Sequence, residues 1–136
     1  MFDYQRRIHL SDTDAAGVVY FAKGLEICHE AYEESLAAAR INLKQMIREG
    51  KVALPIVRAE IDFLRPLGCG DLIQVNFNTR QINGSEFAIA YQIVLVDNDN
   101  LEQAVIKAQT RHVCINPRRR QRIDFPPAIQ QWLEVH

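Results

Sequence analysis

The chain has no CxxC pair, no two histidines at metal-ligand spacing and no glycine-rich phosphate loop. Without those spacings, structural zinc is excluded and no metal is expected. Gly68-Cys69-Gly70 lacks the third glycine of a dinucleotide fingerprint and reads as a turn, and there is no GxSxG nucleophile elbow. No run of about 18 uncharged apolar residues is present, so no membrane span is expected. Charge of one sign is not in excess: 16 Lys and Arg meet 17 Asp and Glu, so no global field draws in nucleic acid or an anionic membrane. The first ten residues carry charge without a long apolar stretch, and the terminal Leu-Glu-Val-His is no organelle address. The expectation is a soluble cytoplasmic protein.

What is present is apolar material. Hydrophobic residues make up 48% of 136, enough for one domain over residues 1–136 to bury a core without disulfide or metal. Cys28, Cys69 and Cys114 sit among apolar neighbours and are expected to be buried, inert thiols.

The periodicity gives an order of elements. Tyr4–Leu10 reads as a strand ending at the polar cluster Ser11–Asp14, with Gly17 in a loop. From about Val19 to Arg40 the apolar step becomes helical through Phe21, Leu25, Cys28, Tyr32, Leu36 and Ala39. A short helix over Leu43–Glu49 stops at Gly50. Alternation then marks half-buried strands through Val57–Phe63 and Ile73–Asn78, with Arg65–Asp71 turning the chain between them. Asn83-Gly84 predicts a type I′ hairpin into Phe87–Val96. A turn at Asp97–Asn100 leads to a last strand over Leu101–Asn116. The tail from about 117 holds a basic run, expected to be solvated, and a short amphipathic helix to Trp132. One strand, a long helix and four hairpin-linked antiparallel strands form an α+β plan, with the helix on one face of the sheet.

One segment carries chemistry. Asp12 and Asp14 precede the small residues Ala15, Ala16 and Gly17, and the chain then opens into the long helix. A helix N-terminus offers unpaired N–H groups that polarise a carbonyl oxygen, and a carboxylate beside it serves acyl transfer as nucleophile or base. The same two aspartates also suit turn and capping roles, and the residues alone leave both readings open.

Ser11-Asp12-Thr13-Asp14-Ala15-Ala16-Gly17-Val18-Val19-Tyr20 is similar to the signature of hotdog-fold acyl-CoA thioesterases of the 4-hydroxybenzoyl-CoA thioesterase type. His29-Glu30-Ala31-Tyr32-Glu33, Ala53-Leu54-Pro55, Ile61-Asp62-Phe63, Cys69-Gly70-Asp71 and Ala108-Gln109-Thr110 with His112–Ile115 resemble the 1,4-dihydroxy-2-naphthoyl-CoA hydrolase branch of phylloquinone biosynthesis. The resemblance runs from about Tyr4 to Ile115 and leaves the basic tail outside.

It implies a long helix wrapped by an antiparallel sheet and hydrolysis of an aromatic acyl-CoA thioester, without metal or redox cofactor. Asp14 would attack the carbonyl or activate water, and the amide of Phe21 or its neighbour Tyr20 would hold the oxygen. Gly17, Val18, Val19, His29, Leu54 and Pro55 would meet the acyl group, and Arg80, Ser85 and Glu86 the CoA. Arg118, Arg119, Arg120 and Arg122 are an alternative holder of its phosphates. His29-Glu30-Ala31-Tyr32 departs from the Glu-x-Ala-Arg of many relatives and speaks against the short-chain branch. The alternatives are a benzoyl or short-chain acyl-CoA thioesterase, or a non-catalytic acyl-CoA- or protein-binding hotdog module. A helix apolar on more than one side and open sheet edges point to a homo-oligomer with sites between subunits, and the resemblance implies a dimer as the unit or a tetramer as the assembly.

Overall fold

The computed structural model describes residues 2–96 and 103–136. Five strands, β1 (Phe2–Arg7), β2 (Ile56–Phe63), β3 (Leu72–Asn83), β4 (Glu86–Leu95) and β5 (Ala104–Val113), form one antiparallel sheet in the order β1-β3-β4-β5-β2. The long helix α1 (Phe21–Ala38) lies against β1, β3 and β5, and α2 (Leu43–Glu49) leads from it toward β2. Beyond the sheet come a two-strand ribbon, β6 (Ile115–Asn116) and β7 (Gln121–Arg122), and the helix α3 (Pro127–Val135).

The long helix starts and ends two residues inside the expected span. Val19 is held outside it because its N–H donates to Leu67 O at 2.8 Å. Its buried face runs through Gly24, Ile27, Cys28, Ala31, Tyr32, Ser35 and Leu36, while Phe21 is 64% exposed. Helix α2 has the expected bounds, with Asn42 Oδ1 accepting from Gln45 N and Gly50 closing it at φ +63°. The first strand stops at Arg7, and Leu10 enters a 3₁₀ turn over Leu10–Asp12.

Val57–Phe63 and Ile73–Asn78 are not hairpin neighbours. β2 crosses to the far edge and pairs with β5, so the Arg65–Asp71 segment is a crossover. As an edge strand β2 is also not half-buried: Ile56, Val57 and Phe63 are exposed. The β3–β4 hairpin forms at Asn83-Gly84, but neither residue has positive φ, so the turn is not type I′. Asn83 instead acts through its side chain, Oδ1 accepting from Ser85 N at 2.9 Å. The Asp97–Asn100 turn and Leu101 lie outside the described residues. The last strand breaks at Cys114, whose N–H donates to Ser85 O, and Ile115 then pairs with Ala53. Cys28 and Cys114 are buried, but Cys69 is exposed in the crossover.

The tail is built into the fold. Asn116 Oδ1 accepts from the amides of Arg118 and Arg119, turning the basic run into the β6–β7 loop. α3 seats Trp132 against Tyr32, Phe77 and Phe87, with Nε1 donating to Ser35 Oγ at 3.0 Å.

Candidate active site

The loop between β1 and α1 is fixed by its own polar groups. Asp12 is 5% exposed, and its Oδ2 accepts from Arg6 Nη2 at 2.6 Å and His9 N at 2.8 Å. Arg6 reaches on to Glu30 of α1 at 2.9 Å, so the ion network ties β1, the loop and the helix together. Asp14 has the opposite environment. It is exposed, its Oδ1 accepts only from Ala16 N at 2.9 Å, and Oδ2 has no partner among the described residues. Asp14 N donates to Val18 O and Gly17 N to Asp14 O, closing a tight loop. Gly17 sits at φ +81°, a conformation that side-chain-bearing residues resist. Asp12 is thus the buried, ion-paired residue of the loop, while Asp14 closes the loop through its backbone and one oxygen and keeps the other oxygen for further contacts.

Tyr20 caps α1 with extended backbone and no side-chain cap. Its own N–H donates to Asp12 O at 2.9 Å, so the Tyr20 amide is not an open donor. Phe21 and Ala22, in the first turn, have amides with no partner among the described residues. The oxyanion expectation therefore narrows to Phe21, with the positive end of the helix dipole behind it.

Asp14, Val18, Val19, Tyr20 and Phe21 line one groove of about 390 Å³. Its other wall is Phe63–Leu67, a strand end and crossover by sequence, with Ile106 of β5. The signal missed there is pairing: Val19 N–H bonds Leu67 O and Val18 bridges Gly68, bringing the crossover to the loop. Gly24 also contributes. A Cβ there would lie 2.7 Å from Ile61 Cδ1 and 3.2 Å from Phe63 Cε1, so its absence lets β2 approach α1 and sets Phe63 in the wall.

The remaining expected site residues lie elsewhere in the single chain. Gly17 shapes the loop without lining the groove. His29, farther along α1, has Nδ1 2.9 Å from Glu33 Oε1 and its ring edge on Tyr32. Leu54 and Pro55 precede β2, where Leu54 O accepts from His112 Nδ1 and Pro55 O from Val113 N. Arg80 lies on the sheet face turned away from α1, in a hollow with Arg58 and Arg111. Ser85 belongs to the hairpin turn. Glu86 is buried, with both oxygens engaged by Arg111 and Arg122. Arg118 lies over Gly50.

Beneath the helix, His112 is fully buried, stacked on Phe87 at 4.7 Å. Leu54 O can only accept, so Nδ1 carries the proton and Nε2 accepts from Thr110 Oγ1 at 2.9 Å. Burial lowers its pKa to about 4, which keeps the ring neutral. Burial likewise pushes the Cys28 thiol up to about 12, making it inert.

A long helix wrapped by an antiparallel sheet defines the hotdog class, and here an exposed carboxylate shares a groove with the open N-terminus of that helix. Residues 8–133 match the Thioesterase-like superfamily, and the chain belongs to it. It is 54% identical over 130 residues to the 1,4-dihydroxy-2-naphthoyl-CoA hydrolase of Crocosphaera subtropica, covering 96% of this chain and 93% of that protein. The protein of that name from Microcystis aeruginosa is equally similar, at 54% over 96% and 91% of the two chains. The crystal structure of a 1,4-dihydroxy-2-naphthoyl-CoA thioesterase from Synechocystis superposes with a TM-score of 0.91 at 40% identity, covering 97% and 94% of the two chains. The likeness thus extends past Ile115 through α3, as the packing of Trp132 requires.

Proposed function

We propose that this protein hydrolyses an aromatic acyl-CoA thioester, with 1,4-dihydroxy-2-naphthoyl-CoA as its substrate and phylloquinone biosynthesis as its setting. The observation that carries the chemistry is the unpartnered Asp14 Oδ2 in the same groove as the open Phe21 amide. The substrate identity rests on the similarity to the hydrolases named above.

The thioester carbonyl oxygen accepts from Phe21 N–H, whose pull strengthens as the oxygen gains charge in the tetrahedral state. In the base route, Asp14 takes a proton from water as the oxygen of that water bonds to the carbonyl carbon. The C–S bond then breaks, the thiolate takes the proton, and acid and free CoA leave. In the nucleophile route, Asp14 bonds to the carbon and expels the thiolate as an anhydride forms; water then attacks the Asp14 carboxyl carbon, the acid leaves with the Asp14 oxygen, and a proton of that water passes to the thiolate. Single turnover in ¹⁸O-water separates the two, because only the nucleophile route yields a first product free of label. Apolar walls from Val18, Val19, Phe63, Leu64 and Ile106 suit a flat aromatic acyl group.

The working unit in this reading is a homo-oligomer. Among the described residues the outer edge of β2 has no partner strand, and its Ile56, Val57 and Phe63, with Leu64 just beyond, are exposed by 42–56%. Antiparallel pairing of β2 with the β2 of a second copy sets Leu54 and Pro55 beside that copy's Phe63 and Leu64. This is how residues remote from the groove in one chain would meet the acyl group. A cytoplasmic setting goes with the three unpaired cysteines. No helix among the described residues is long and apolar enough to cross a membrane.

The test is thiol release from a panel of acyl-CoAs containing 1,4-dihydroxy-2-naphthoyl-, benzoyl- and butyryl-CoA. The naphthoyl thioester should exceed the short chain in kcat/KM by at least about tenfold, since each buried CH₂-equivalent is worth about 0.8 kcal/mol. Preference for butyryl-CoA would move the protein to a short-chain specificity. Release from none would make it a binding module.

A further inference from the structure

The near-neutral net charge conceals a division. Residues 40–51 and 117–122 hold eight of the 16 Lys and Arg but only one, Glu49, of the 17 Asp and Glu. The formal charge of −1 thus splits into +7 on these two segments and −8 on the rest. The fold joins the two segments. Ala53 and Ile115 exchange both backbone hydrogen bonds, at 3.0 Å each, which brings Lys51 back toward the β6–β7 loop. The Arg118 guanidinium then lies across the end of α2, its Nε 2.9 Å from where a Cβ at Gly50 would stand.

The outward side of this region is open. Lys44, Ile47 and Arg48 share one side of α2 by the helical step, and all three are exposed, Ile47 by 79%. Leu43 and Met46 take the other side and pack on the core. Lys51, Arg118, Arg119 and Arg120 are exposed as well. None of these six cations forms an ion pair with a described carboxylate. Glu49 bonds Gln45 Nε2 at 3.0 Å, Arg122 pairs with Glu86, and Arg40 stands beside Glu33 and Glu34, so neither of those arginines is counted. Arg118 suits the negative end of the α2 dipole, but Lys44 sits in the first turn, at the positive end. Arg118–Arg120 put three like charges on one tight loop, with Arg120 at φ +53°. Folding gains little from this arrangement, whereas an anionic surface would.

We propose that this face docks on an anionic lipid surface, with Lys44, Arg48, Lys51 and Arg118–Arg120 meeting headgroup phosphates and Ile47 entering the layer between them. Charge complementarity alone would also suit an acidic protein. The apolar groups among the cations favour lipid: Ile47 stands exposed between Lys44 and Arg48, and a groove of about 270 Å³ between α2 and α3 places Ile41, Met46, Val52 and Ile129 beside Lys51. A bilayer offers anionic headgroups over an apolar interior and takes both.

The test is cosedimentation of the whole protein with vesicles of equal parts phosphatidylglycerol and phosphatidylcholine, and with phosphatidylcholine alone. Binding is expected to the first only, and it should fall as salt is raised. A basic residue near an anionic surface is worth about fivefold in partitioning, so Arg48→Gln and Arg119→Gln should each bind about fivefold less. Ile47→Ser should bind less at low and at high salt, since salt does not screen an apolar contact. All three side chains are exposed, so the variants should melt with the wild type, which excludes unfolding as the cause. No binding to the phosphatidylglycerol vesicles, or equal binding by Arg48→Gln and Arg119→Gln, overturns the proposal. Full binding by Ile47→Ser also overturns it, because adsorption by charge alone needs no lipid; saturable binding of polyglutamate would then give the face to an acidic protein. The vesicles carry no CoA and the assay needs no turnover, so its outcome is independent of the thioesterase reading.

Discussion

Arg6 donates from Nη2 to Asp12 Oδ2 at 2.6 Å, and the pair separates the roles of two aspartates only two residues apart. Both side chains of the pair are mostly buried, at 12% and 7% exposure, and Arg6 also bonds Glu30. Asp12→Ala leaves Arg6 with one partner and removes the acceptor of His9 N. The expected loss is about 2–3 kcal/mol, below the cost of stranding a buried charge completely because Glu30 remains. Urea denaturation of the variant measures it, and an unchanged midpoint would make the pair incidental.

Trp132 is the second test of what holds the fold. Its ring meets Tyr32, Phe77 and Phe87, and its N–H reaches Ser35 on α1. Trp132→Ala should cost about 3–5 kcal/mol, as for other large buried aromatics. Truncation before Pro127 should expose the same cluster and produce dye-binding apolar surface. A variant as stable as wild type would mean that α3 is an appendage.

The sequence showed the order of elements because each has a local signal: the Gly50 stop of α2, the Asn83-Gly84 turn and the change of period after Gly17. What it hid depends on partners distant in the chain. Val57–Phe63 alternates like a buried strand, yet its place at the sheet edge leaves Ile56, Val57 and Phe63 exposed. Asn83-Gly84 turns the chain without positive φ because the Asn83 side chain closes the turn. At the site, Asp14 and Val18–Phe21 were legible as one contiguous motif. Phe63–Leu67 were not, since only the Val19–Leu67 bond brings them there. His29, Leu54 and Pro55 share no groove with Asp14 within one chain, a separation in space that no local pattern encodes.

The buried His112 gives stability a defined pH dependence. Its folded pKa of about 4 lies below the unfolded value of 6.5, so the unfolded chain takes up the proton first as pH falls. Its contribution, about 3 kcal/mol, is fully present above pH 6.5 and is lost progressively toward pH 4. Denaturation midpoints of wild type and His112→Gln across pH 4–8 should converge toward the acid end. Parallel curves would show that the ring does not titrate differently on folding.

The most discriminating variant is Asp14→Asn. The substitution keeps size and the Oδ1 acceptor for Ala16 N, so the loop with Gly17 at φ +81° has no reason to rearrange. It removes the charge that attacks the carbonyl or accepts the proton of water, and either loss lowers rate by about 10²–10⁴ or more. Because Asp14 is exposed and unpaired at Oδ2, stability should stay within about 0.5 kcal/mol of wild type. The groove walls are untouched, so acyl-CoA binding by the variant should persist and the loss should fall on kcat rather than KM. Asp12→Ala should give the converse pattern, reduced stability with kcat preserved at temperatures where it remains folded. The two variants therefore read the two halves of one motif independently. A folded Asp14→Asn with near-normal kcat, or a folded Asp12 variant that is the inactive one, would show that the reacting carboxylate has been misassigned.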